Sequence, residues 1–223
     1  MATRIHDPGR QRLAPELIDK WRRVTSAVAT DQLGGSAHLD TSIRPIRPLG
    51  DGVRLIGSAV TALCEPKDYG AVHHAIDVAA AGDVLVIAAG GRSDAAMIGE
   101  LLSTAARLKG VAGVVLDGAV RDVATLSAWP DFQVFTRWTT PRGPSSMERG
   151  AVNCPVEVAG VKVEPFDLVI ADDDGVSIVP HALAGEKLAG CLARVDAEAG
   201  WEKQLFGKSS TLEVFKVPAA VRD

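Results

Sequence analysis

Aromatic residues make up only 4% of this 223-residue chain, with one tyrosine, four tryptophans and five phenylalanines. Its core must therefore be built from Ala, Val, Ile and Leu. Cysteine is scarce too: Cys64, Cys154 and Cys191 are far apart and odd in number. That excludes a disulfide frame or a zinc-binding cysteine pattern and reads as reduced thiols of a cytoplasmic protein. No apolar run is long: Val84–Gly91 and Val111–Leu116 fall far short of the roughly 18 residues that a membrane span requires. The opening segment, MATRIHDPGRQR, has no apolar signal core. Positive charge is not in excess. Twenty-four Lys and Arg against 28 Asp and Glu leave a net charge of −4, which argues against a broad nucleic-acid surface. With 47% hydrophobic and 23% charged residues, what remains is an ordinary globular chain, long enough to bury a core without staples.

No internal repeat or linker divides it. The expectation is one domain over 1–223, with a core of about 24–180 and a C-terminal helical extension over 181–223. Leu17–Leu33 reads as an opening helix ended by Gly34-Gly35. Val53–Cys64 reads as strand and Tyr69–Ala81 as helix. Asp83–Ala89 is a continuous apolar run, as in a strand buried on both faces. Asp94–Lys109 reads as helix, Val111–Asp117 as a second buried strand with Gly118 turning the chain, Val120–Trp129 as a short helix, and Phe132–Thr136 as a third strand. This alternation predicts a parallel α/β segment. After Thr139 come short strands with tight turns: Val152–Val158, Val161–Val163, Leu168–Ala171 and Val176–Val179, with a hairpin across residues 157–163. Pro180–Lys203 reads as a long closing helix. The fold class is α/β, a mixed sheet with helices outside.

Ligands of open α/β sheets sit beyond the C-terminal ends of parallel strands. Two such ends are visible, Gly90-Gly91-Arg92 and Asp117-Gly118-Ala119-Val120-Arg121-Asp122. The second sets an arginine, a planar fork for a carboxylate, beside an aspartate, a hard oxygen ligand for magnesium or manganese. The plain alternative is a helix cap and a surface ion pair, which contributes little. Other signals have plain readings. Asp172-Asp173-Asp174-Gly175 lacks the calcium-loop pattern and reads as a turn. His73-His74 are adjacent on a helix and cannot form an i, i+4 metal pair. Lys109 reads as a solvated helix end, Arg92 as either a carboxylate partner or a structural ion pair, and Arg142 as ordering either a loop or a subunit contact.

Gly99-Glu100-Leu101-Leu102, followed by Gly110 to Asp122 (GVAGVVLDGAVRD), resembles the RraA-like family. That family holds class II 4-hydroxy-4-methyl-2-oxoglutarate/4-carboxy-4-hydroxy-2-oxoadipate aldolases and the regulator of ribonuclease E activity. Gly82–Val86, Thr140–Pro144 and Asp167–Val176 extend the resemblance, which runs from about Val24 to Pro180. It implies a layered β/β/α sandwich of the swivelling-domain type, with flanking N- and C-terminal helices. It also implies assembly as a homotrimer or paired trimers (a hexamer). By resemblance, Asp122 is the direct protein ligand of a divalent cation, Mg2+ or Mn2+. Arg121 binds the pyruvyl part of a small 2-oxo acid substrate and acts in catalysis. Backbone amides around Gly99, Leu101 and Leu102 hold its carboxylate, as free N–H groups at a helix start would. Glu100 stands where many of these aldolases have aspartate, and the resemblance implies for it a place in the substrate site, a share in holding the metal and a part in catalysis. Glu198 or Glu202 is the candidate acid that reaches a neighbouring subunit's site. The implied activity is cleavage of a 4-hydroxy-2-oxo acid to pyruvate and a second oxo acid, with oxaloacetate decarboxylation as a side activity. The alternative is a non-catalytic regulator, a branch that lacks the acid after the arginine. No nucleic acid or membrane partner is expected. A methyltransferase reading finds no recognisable loop for S-adenosylmethionine.

Overall fold

The computed structural model describes residues 2–221. Its elements in chain order are β1 (Arg4–Ile5), α1 (Pro15–Trp21), α2 (Ser26–Gln32), β2 (Arg44–Pro45), β3 (Leu55–Leu63), α3 (Gly70–Val78), β4 (Val84–Ala88), β5 (Ala96–Ile98) and α4 (Glu100–Leu108). There follow β6 (Gly113–Val120), α5 (Val123–Ser127), β7 (Gln133–Thr139), β8 (Ala151–Val152), β9 (Val156–Val158), β10 (Val161–Val163), β11 (Leu168–Asp172), β12 (Gly175–Val179), α6 (Ala184–Phe206) and α7 (Thr211–Val214).

The apolar runs VLVIA and GVVL are buried on both faces because they form the middle of a mixed sheet ordered β1-β8-β3-β4-β6-β7-β2. β3, β4, β6 and β7 run parallel. β11 adds antiparallel to the first half of β3 and carries β12 with it. One face of the sheet packs on α3, α4 and α5 through Val72, Ile76, Ala106 and Leu126. The other meets a second β layer, where Val156, Val158, Val163, Val169 and Ile178 pack against Val84, Val86 and Val115. Beyond it, α1, α2 and α6 close over β11 and β12 around the fully buried Trp21. The result is the layered mixed α/β fold expected from the sequence.

Several boundaries differ from the sequence-based expectation. Leu17–Leu33 is two helices: the chain breaks at residues 22–25, and the Thr25 side chain caps α2 by accepting the Val28 amide. Asp94–Lys109 is not one helix. Ala96–Ile98 is a strand paired with β6, and the helix starts only at Glu100. Gly118 does not turn the chain, because β6 continues through it to Val120. Asp117 is therefore a buried mid-strand acid, bonded to Arg137 Nε (2.7 Å) and accepting the Ala159 amide (2.9 Å). The predicted strand Val152–Val158 is two short ones, and a 3-10 turn at His181–Leu183 precedes α6. The hairpin at 157–163 is present as β9 and β10.

Candidate active site at the end of strand β6

The end of β6 is held on both sides. The Arg121 amide donates to Ile98 O (3.2 Å), and the Thr140 amide donates to Val120 O (3.0 Å). The next residue, Asp122, adopts left-handed backbone (φ 59°, ψ 36°), a conformation that aspartate tolerates better than most residues. The chain thereby swings into α5 and the carboxylate turns back toward α4. Asp122 Oδ2 accepts the Glu100 N–H at 2.9 Å. The N-cap residue of α4, Gly99, has no side chain to cap with, so the aspartate at the next strand end supplies the acceptor instead. The Leu101 and Leu102 amides, also in the first turn, take no hydrogen-bond partner among the described residues. They form an anion-receptive helix start.

Arg121 and Asp122 converge over Gly99. A Cβ there would lie 2.5 Å from Asp122 Oδ2 and 2.7 Å from Arg121 Cγ. Gly99 has ordinary extended backbone, so glycine is required for space rather than for backbone conformation. The Arg121 Nε lies 3.6 Å from Asp122 Oδ2, with both side chains about 40% exposed. The Glu100 carboxylate faces the start of α5, where Thr125 Oγ1 donates to Oε2 at 3.5 Å.

The convergence borders two cavities. A cleft of about 350 Å3 is lined by Arg121, Asp122, Val123, Thr139, Thr140 and Pro141. A smaller one of about 140 Å3 lies along Gly99, Leu101, Leu102, Arg121, His73 and Pro144. Partial burial lowers the His73 pKa, helped by the neighbouring His74 charge, which favours the neutral ring near pH 7. The cavity under residues 11–22 is larger, about 520 Å3, but there Arg12 is bonded to Asp83.

The sequence-predicted residues thus divide. Gly99, Glu100, Leu101, Leu102, Arg121 and Asp122 come together. Glu198 and Glu202 lie on α6, which packs against α1 and α2, and Glu198 is paired with Arg194 of its own helix (2.7 Å). Arg92 is paired with Asp94 (3.2 Å). Lys109 is not merely solvated: its ammonium donates to Ile76 O (2.9 Å) and Asp77 O at the end of α3. The Asp172–Gly175 segment is a turn, with Asp172 holding the Ser26 amide and hydroxyl and Asp173 the Leu49 and Gly50 amides.

Sequence reasoning missed Asp68, the anchor of the loop opposite Arg121. Asp68 is fully buried. It accepts from Ser146 Oγ (2.5 Å), the amides of Gly70 (3.0 Å), Arg149 (3.1 Å) and Glu148 (3.3 Å), and Arg149 Nε (3.3 Å). Burial opposes its ionisation, but these donors outweigh it and hold the carboxyl well below the usual range. The depressed folded value means that Asp68 stabilises fully above about pH 4, and this contribution is lost as pH falls toward the folded value. Replacing Asp68 by Ala is expected to cost about 3 kcal/mol by stranding several donors. Urea unfolding at pH 7 and pH 3 checks this: the gap between wild type and variant should shrink in acid.

Among the described residues no three His, Cys, Asp or Glu side chains gather as a metal-binding set. Asp122 nevertheless fits a hard divalent cation. Oδ2 is occupied by the Glu100 amide, while Oδ1 has no hydrogen-bond partner among the described residues. One or two carboxylates plus water and substrate oxygens are the usual holders of magnesium.

The fold is thus a mixed α/β sandwich with an arginine–aspartate pair at a parallel strand end, beside a helix start with free amides. Residues 14–178 match the family model RraA-like, Aldolase/RraA, and the chain belongs to that family. It is 33% identical over 165 residues to a protein of Halalkalibacterium halodurans named "Putative 4-hydroxy-4-methyl-2-oxoglutarate aldolase", covering 74% of this chain and 77% of that one. It is 34% identical over 124 residues to the 4-hydroxy-4-methyl-2-oxoglutarate aldolase of Thermus thermophilus, covering 56% and 75%. Among solved structures, RraAS2 of Streptomyces coelicolor superposes with a TM-score of 0.76 at 28% identity, over 90% of this chain and all of that one. It is described as an unusual member of the RNase ES inhibitor RraA protein family.

Proposed function

We propose that this protein is a divalent-metal-dependent aldolase that cleaves a 4-hydroxy-2-oxo acid to pyruvate and a second oxo acid, and that it decarboxylates oxaloacetate through the same enolate. The observation that carries the reading is the convergence of Arg121 and Asp122 over Gly99, at the start of the helix whose Leu101 and Leu102 amides have no partner among the described residues. The names of the two aldolase relatives support it.

In this reading the Leu101 and Leu102 amides bind the substrate carboxylate, helped by the positive end of α4. Asp122, with Glu100 beside it, would hold Mg2+ or Mn2+ through carboxylate oxygens. The bound cation would supply Lewis-acid polarisation of the 2-oxo group. Arg121 faces the same carbonyl oxygen and stabilises the negative charge that develops there as the C3–C4 bond breaks, the term that is usually largest in such reactions. The C4 hydroxyl loses its proton to a base, for which Glu100 acting through water is the candidate within the chain. The three-carbon fragment then takes a proton at C3 to become pyruvate. In a homotrimer or paired trimers, Glu198 or Glu202 of the partner subunit would complete the site.

The non-catalytic regulator is the second reading, favoured by the likeness to the Streptomyces coelicolor protein. Asp122 separates the two, since a purely interacting surface has no use for a cation ligand there. Pyruvate release from 4-hydroxy-2-oxo acids, with and without chelator, tests them. Among the described residues no helix is long and apolar enough to cross a membrane.

A further inference from the structure

The Arg121 side chain is fixed by very little that is electrostatic: its ion pair is the 3.6 Å approach to Asp122. Its path is instead bounded by two glycines. Near the stem, a Cβ on Gly99 would stand 2.7 Å from Arg121 Cγ and 3.1 Å from Nε. At the tip, a Cβ on Gly143 would stand 2.7 Å from Nη1. Carbon–nitrogen contacts relax at roughly 3.5 Å or more, so a methyl group at Gly143 and the guanidinium cannot both keep their places.

The backbone at Gly143 has little freedom to yield. Upstream, the Thr140 amide is tied to Val120 O (3.0 Å). The Arg142 carbonyl accepts the Ala96 amide (2.8 Å), and the Ser145 and Ser146 amides both donate to Lys67 O (2.9 and 3.2 Å). Ser146 Oγ is bonded to buried Asp68 (2.5 Å). Prolines at 141 and 144 stiffen the same segment. Gly143 does not lie in the left-handed region, so alanine there meets no backbone penalty. Its cost would fall on the flexible arginine tip.

We propose that Gly143 is a positioning residue for the reaction: its missing side chain leaves the slot that seats the Arg121 guanidinium, and the Asp68-anchored loop keeps that slot in place. The proposal rests on the catalytic role given to Arg121 above. A displacement of about 1 Å in a charge-stabilising group is enough to lower turnover on the order of 10²-fold.

The test is a double-variant cycle with a structural readout. Gly143→Ala, Arg121→Ala and the double variant are compared with wild type for pyruvate release and for binding of oxalate, a planar mimic of the pyruvate enolate, by calorimetry with magnesium present. Gly185→Ala, at an open position on α6, serves as the folding control. The crystal structure of Gly143→Ala is solved alongside. The expected result is an unchanged melting temperature, a guanidinium moved by about 1 Å, turnover down at least tenfold, and weaker oxalate binding. The Gly143→Ala effect on oxalate binding should vanish in the Arg121→Ala background. An unmoved guanidinium, or the same Gly143→Ala penalty in both backgrounds, overturns the proposal. Wild-type turnover in Arg121→Ala alone overturns it as well, but by sinking the catalytic role of Arg121, an outcome the single variant identifies without reference to Gly143.

Discussion

Asp122→Asn is expected to lose metal-dependent turnover by about 10³-fold or more, the equivalent of the several kcal/mol that a Lewis acid contributes to such a transition state. Asparagine is the informative replacement because Asp122 has two jobs. Its Oδ2 accepts the Glu100 amide, and its backbone sits at φ 59°. Asparagine tolerates that backbone, and its carbonyl oxygen can still accept the Glu100 N–H, so the cap survives while the negative charge is lost. Alanine would remove the charge and the cap together, sit less well at φ 59°, and cost about 1 kcal/mol of stability for the missing cap alone. A melting temperature close to wild type in Asp122→Asn, with tighter magnesium binding abolished in calorimetry, separates loss of the cation from loss of the fold. Retention of wild-type rates would exclude Asp122 as a metal ligand.

Arg121→Ala has the second largest expected effect, with a different signature. The side chain is about 40% exposed and its ion pair is long, so the change should alter stability by less than about 1 kcal/mol. Removing a charge-stabilising donor from a developing oxyanion typically lowers kcat by about 10²–10³-fold. Because Asp122 and Glu100 are untouched, magnesium affinity should persist. Steady-state kinetics beside a magnesium titration checks this: kcat should fall while cation binding stays. Loss of both together would mean that Arg121 holds the site's shape rather than the substrate's charge.

The parts of this molecule that were legible in the sequence are those with a local cause. Continuous runs such as VLVIA announce strands buried on both faces, and β4 and β6 lie at the centre of the sheet. The break between α1 and α2 was not read, although Thr25, whose side chain caps the second helix, is a local signal for it. Residues 94–98 misled because Ala, Met and Ile suit a helix equally well. The strand state of Ala96–Ile98 within this segment is set by pairing with β6 beyond a register shift, a tertiary cause that no window of sequence contains. Gly118 misled in the opposite way: it has the look of a turn but is needed in mid-strand, where a Cβ would come within 2.8 Å of Ala89.

The site divides along the same line. Gly99–Leu102 and Arg121–Asp122 were picked out by their resemblance to a family pattern, and the fold brings the two segments within hydrogen-bonding distance. The reason they fit, two carboxylate and guanidinium stems crossing over one glycine, is a property of three dimensions. So is the loop whose Gly143 abuts Arg121 and whose anchor, Asp68, is about 75 residues earlier in the chain. A buried aspartate among Lys67 and Tyr69 carries no local mark of that role.

The most direct test of the central claim is pyruvate release coupled to lactate dehydrogenase, with 4-hydroxy-4-methyl-2-oxoglutarate and oxaloacetate offered separately to the full chain. Each is assayed with magnesium, with manganese and with excess chelator. Pyruvate should form from at least one of the two in the presence of either metal, and chelation should abolish it. Folded protein that releases no pyruvate from either substrate, or releases it equally well under chelation, would contradict a metal-dependent, enolate-forming lyase.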